Sequence, residues 1–141
     1  MSEYPSIDSL SAERTAPQTL TLRNGRGAEL KIGMEGAAGS FTPGELLQAA
    51  VAGCAALSAE AQLAHELGRD YEMSALMKSS VDEEADRLES ITVTLRADMS
   101  DLDEPTRQKL ITRAERVIER LCVVKRSVNH GVQATAEVVP S

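Results

Sequence analysis

"TPGELLQAAVAGCAALSAE", residues 42–60, decides the fold. Thr42 suits a helix N-cap and Pro43 the first helical position. Glu45 completes a Thr-x-x-Glu capping box, in which each end's side chain serves the other's backbone N–H. The helical pattern continues to Leu67, and Gly68 offers the left-handed conformation that ends helices. This predicts a helix of roughly 25 residues, about 37 Å long. Between Leu46 and Leu57 it is apolar nearly all round, so it must be enclosed on every side. One modest sheet and one other helix make poor cover for it in a chain of 141 residues. A symmetric homodimer with this helix at its centre is expected, its Ala and Gly positions admitting another backbone closely. A well-wrapped monomer is the alternative.

Working outward, "QTLTLR" (18–23) and "AELKIGM" (28–34) alternate as half-buried strands do. "NGRG" between them predicts a hairpin turn, with Asn24-Gly25 taking the left-handed positions. Residues 1–17 are polar with two prolines and read as a mobile or loosely docked arm. Downstream, Tyr71, Met73, Ala75 and Met77 alternate, as do Ile91, Val93, Leu95 and Ala97. With the acidic "DEEADRLES" (82–90) between them, the two runs form an antiparallel hairpin. A second helix runs from a cap at Asp103 to Cys122, with Pro105 in its first turn. Leu110, Ala114, Val117, Ile118, Leu121 and Cys122 share its apolar face. Val132, Ala134, Ala136 and Val138 then predict a last strand. The order ββ–α–ββ–α–β with short hairpins gives a single α+β domain of mostly antiparallel sheet.

Composition narrows the function. The net charge is −7, the pI about 4.9, and aromatics are 2% of the chain. Without a basic stripe or stacking aromatics, nucleic acid and anionic membranes are not expected partners. The N-terminal stretch lacks a basic segment followed by an apolar run, and the Leu46–Leu57 run is too short to span a bilayer. A cytoplasmic location follows as the expectation, and there the two cysteines would be free thiols. No Cys-x-x-Cys is present and His65 and His130 are isolated, so no zinc site is expected.

Cys54 and Cys122 each have a plain reading as small buried apolar groups. If they react, their roles differ. Cys122 ends a helix, where the partial negative charge disfavours a thiolate, so it suits a resolving thiol. Cys54 suits attack if a cation lies nearby. Its own helix helps little, because Cys54 is about three turns from the N-terminus.

"TPGELLQAAVAGC", followed by "LCVVKRSVNHGVQATAEVV" with Cys122 68 positions after Cys54, resembles the OsmC/Ohr superfamily over about residues 42–139. The resemblance implies an α+β fold in which two chains intertwine around paired central helices. It implies a thiol peroxidase active against organic hydroperoxides, with a part in oxidative stress. Cys54 would be the peroxidatic thiol and Cys122 the resolving one, joined by a transient disulfide. The reductant would be an external dithiol or lipoylated protein, with no metal, flavin or haem. The family's site also uses a glutamate and an arginine. Here Glu45 stands one place beyond the family's most studied position, which Gly44 occupies. Nine residues of ideal helix would also put Glu45 opposite Cys54. Arg26 in "NGRG", with Arg23 close by, is the nearest echo of the arginine. Two other readings stand beside this one: a non-catalytic dimer binding a small apolar ligand, and a thiol redox sensor without turnover.

Overall fold

A computed structural model describes residues 10–141. The chain divides into two compact units, Met1–Leu47 and Gln48–Ser141. Among the described residues the architecture is α+β, with antiparallel sheets and three helices.

In the first unit, β1 (Ser11–Ala16), β2 (Thr19–Arg23) and β3 (Glu29–Gly33) form a sheet in the order β1-β2-β3. The predicted hairpin is β2–β3, with Leu20 opposite Ile32 and Arg23 opposite Glu29. An Arg23–Glu29 ion pair of 2.9 Å closes its end. The turn differs from the expectation. The left-handed residue is Gly27 (φ +93°), not Asn24-Gly25. The Asn24 side chain accepts from the N–H groups of Arg26 (2.9 Å) and Ala28 (3.0 Å), and this fixes the loop. Of the expected arm, residues 1–9 lie outside the described residues. Residues 11–16 are instead an edge strand paired with β2. Its polar sequence hid it, because an edge strand with no buried face needs no apolar alternation.

The long helix α1 (Pro43–Leu67) has the predicted ends. Thr42 Oγ1 accepts from Glu45 N–H at 3.1 Å, and Glu45 Oε1 accepts from Thr42 N–H at 2.8 Å. Gly68 closes it at φ +99°. Within this chain α1 is not enclosed all round. One stripe is buried (Val51, Ala52, Ala55, Ala59 and Leu63), while Leu47 is 40% and Leu57 71% exposed. Among the described residues α1 alone has the length and apolarity of a membrane span, with 28% of its most apolar window buried.

The second unit pairs β4 (Met73–Asp82) with β5 (Arg87–Ala97), Met77 facing Val93 and Ala75 facing Leu95 as the alternation required. Helix α2 (Glu104–Leu121) starts at Asp103, whose carboxylate accepts from Thr106 N–H at 2.9 Å. Ala59 and Leu63 of α1 pack with Leu110 and Ala114 of α2 in the core, flanked by Tyr71, Met73, Met99, Leu102 and Ile118. Leu121, expected on the apolar face, is exposed.

The chain end departs from the prediction. A third helix, α3 (Val123–His130), follows α2 directly and ends at Gly131 (φ +74°). Residues 132–139 carry no strand. Their alternation survives, but Val138 is 100% exposed and no described strand edge pairs with the segment. Strands need a hydrogen-bonding neighbour, and apolar alternation alone does not supply one.

Candidate active site

Two sulfurs meet where α1 passes the α2–α3 junction. Cys54 lies on α1 beside the buried stripe and is half-buried. Cys122 is fully buried, with 0% exposure. Both are free thiols.

Cys122 owes its position to a break between helices. At φ −75° and ψ 91° it is extended, so helix α2 stops there. Its N–H still donates to Ile118 O at 3.0 Å and its carbonyl accepts from Arg126 N–H at 3.1 Å. One residue therefore caps the C-terminus of α2 and the N-terminus of α3. The first N–H groups of a helix have no partner within it and carry partial positive charge. In α3 these belong to Val123, Val124 and Lys125; the first two lie against the Cys54 sulfur and the third against that of Cys122.

This environment sets the two thiols apart. Burial pushes the Cys54 thiol up. The Val124 N–H, the Cys122 thiol, the Val123 N–H and the Ser58 hydroxyl outweigh it, and the net result lies below an ordinary cysteine. Burial raises Cys122, and the neighbouring Cys54 raises it further, against the opposing influence of the Lys125 N–H and ammonium. The surroundings thus favour a thiolate at Cys54 over one at Cys122, and not through the nearby cation that the sequence reading required. Helix amides and a partner thiol stabilise its anion where a cation was expected. Cys122 is held as a thiol chiefly by burial, and the α2 C-terminus was only part of its surroundings.

The remaining sequence candidates are placed as follows. Glu45 is engaged in the capping box. Arg26 sits in the β2–β3 loop, its N–H donating to Asn24. Arg23 pairs with Glu29 and more distantly with Glu13. Beside Cys122, and not singled out above, Lys125 pairs with Glu119. His65 and His130 are exposed on helix ends. Sequence reasoning missed the Val123 and Val124 amides, because α3 itself was not foreseen. Its signal was present in Gly131 as a helix stop and in Val124 and Val128 four apart. Ser58 was also missed, although it stands one turn after Cys54 on the same face.

With this geometry in place, the relatives are informative. The family described as OsmC-like protein matches residues 36–137. An uncharacterized protein of Mycobacterium tuberculosis (strain H37Rv) is 35% identical over 130 residues, covering 92% of this chain and 95% of its own. A hypothetical protein from Aquifex aeolicus superposes with a TM-score of 0.69 at 18% identity, covering 90% of each chain. The organic hydroperoxide resistance protein OhrB of Bacillus subtilis gives 0.56 at 22% identity, covering 85% of this chain and 89% of that one.

Proposed function

Since the chain belongs to the OsmC-like protein family, we propose that it is a thiol peroxidase that reduces organic hydroperoxides through Cys54 and Cys122. One observation carries this reading: the two free thiols are neighbours, and their surroundings favour the anion at Cys54, against the Val123 and Val124 amides, while burial and the neighbouring sulfur oppose it at Cys122. The Bacillus relative's name, organic hydroperoxide resistance protein, supports the substrate class.

In the first step the Cys54 thiolate attacks one oxygen of the hydroperoxide. The O–O bond breaks, the alkoxide leaves and takes a proton from solvent, and Cys54 becomes a sulfenic acid. The Val123 and Val124 amides hold the sulfur in place and stabilise the charge it carries before attack. In the second step the Cys122 sulfur attacks the Cys54 sulfur. A disulfide forms, and the sulfenic oxygen leaves as water with the Cys122 proton. An external dithiol, free or on a lipoylated protein, then reduces the disulfide by two electrons.

The working form is a cytoplasmic homodimer joined through α1. Two features support this. The outward face of α1 carries Leu47 and Leu57 uncovered by this chain. Gly53, mid-helix, has open space where a side chain would stand. Gly in a helix interior is unfavourable by about 1 kcal/mol relative to Ala, so a close neighbour outside the chain gives its presence a purpose. The engaged Glu45 favours a second reading, a dimer with the fold but no turnover.

The test follows loss of cumene hydroperoxide with dihydrolipoamide as reductant, for wild type, Cys54→Ser and Cys122→Ser. Wild type should turn over repeatedly, Cys54→Ser should be inert, and Cys122→Ser should stall at a trappable sulfenic acid. Wild type no faster than Cys54→Ser excludes peroxidase activity.

A further inference from the structure

Ser58 stands one helical turn after Cys54, half-buried, with its hydroxyl 2.7 Å from the Cys54 carbonyl oxygen. The bond is redundant for that carbonyl. In α1 the same oxygen already receives the Ser58 N–H, as the helix pattern requires. A serine that bonds back to the preceding turn slightly destabilises a helix, and alanine is the better former there. The hydroxyl therefore does little for the fold where it stands.

Its reach extends to the Cys54 side chain, which lies on the same helix face. A hydroxyl rotor has one proton to give and lone pairs to receive. Against a thiol it keeps its proton on the carbonyl and can accept the S–H. Against a thiolate it can turn and donate to the sulfur. Because the carbonyl retains its N–H partner, that turn strands no buried group. We infer that Ser58 is a positioning residue for Cys54, its hydroxyl swinging from the Cys54 carbonyl to the sulfur once the sulfur is charged. It completes, from α1 itself, a cradle whose other side is the start of α3. This inference rests on the reading of Cys54 as the attacking thiol, but its test needs no peroxide turnover.

The experiment compares wild type, Ser58→Ala and Ser58→Thr in the full chain. Iodoacetamide alkylation of the Cys54 peptide is followed by mass spectrometry from pH 5 to 10. Helix content by circular dichroism checks that each variant is folded. Losing one hydrogen bond to an ionised group lowers the acid dissociation constant of Cys54 by about tenfold. A more basic thiolate is also more nucleophilic, with a slope of about 0.4–0.5 for thiol exchange. Ser58→Ala is therefore expected to react about threefold slower than wild type at low pH and about threefold faster at high pH. The two profiles should cross, and Ser58→Thr, which keeps the hydroxyl, should restore the wild-type curve. A merely structural serine would scale the whole profile in one direction. Superimposable profiles, or a uniform change without a crossing, overturn the assignment. Either result leaves the peroxide assay of wild type and Cys54→Ser to stand or fall on its own.

Discussion

The claim that α3 activates Cys54 has a direct test in Val124→Pro. Val124 is the second residue of α3 after its cap at Cys122. Its N–H has no partner within the helix, and it is the strongest of the influences that favour the Cys54 thiolate. Proline removes that N–H and nothing else the helix requires at this place. The same chain already tolerates proline at the matching position of α2, where Pro105 is the second residue after the Asp103 cap. Val124 is half-buried, so a smaller ring there leaves no deep cavity. A hydrogen bond to a charged group contributes about 1.5–3 kcal/mol. The lower end applies at a half-buried sulfur, so the thiolate is disfavoured by about 1.4 kcal/mol, tenfold in its acid dissociation constant. The assay is thiolate absorbance near 240 nm against pH, with Cys54 alkylation as the site-specific check. The Cys54 transition should move to higher pH while Cys122 stays silent at neutral pH. An unmoved transition with intact helix content would refute activation by α3 and leave the Cys122 thiol and Ser58 to explain the bias.

Three further outcomes follow from the same geometry. If the proposed α1 dimer is the working form, Gly53→Leu should convert it to monomer in sedimentation velocity, whereas Gly53→Ala should fail to give the gain of about 1 kcal/mol that an open helix site would show; a Gly53→Leu variant that stays dimeric removes this position from the interface. The lowered Cys54 group adds stability fully present above the pH at which an unfolded cysteine ionises, and this is lost as pH falls through its folded value. Denaturation of wild type and Cys54→Ser should thus diverge towards alkaline pH and converge towards acid. Leu110→Ala, at a position 1% exposed between α1 and α2, should cost about 3 kcal/mol in denaturant unfolding without altering the pH dependence of Cys54 in the folded fraction.

Local chemistry made much of this protein legible in its sequence. The ends of α1 could be read because a capping box and a terminal glycine act within one turn of chain. The β2–β3 and β4–β5 hairpins could be read because alternation reports a sheet with one covered face. The pairing of Cys54 with Cys122 came from resemblance to a family, since nothing local links residues 68 positions apart.

Three matters only the tertiary structure decided. Edge strand β1 has no buried face and so leaves no alternation to read. The segment after Gly131 has the alternation of a strand, but pairing depends on a neighbouring edge that the segment does not encode. The bias between the thiols is likewise a property of contact. Sequence placed Cys122 at the end of one helix, where a thiolate is disfavoured. Folding showed the same residue opening a second helix, whose first amides face Cys54 across the junction. Which sulfur carries the charge depends on where those unpaired N–H groups point, and a direction in space appears only when the chain is folded.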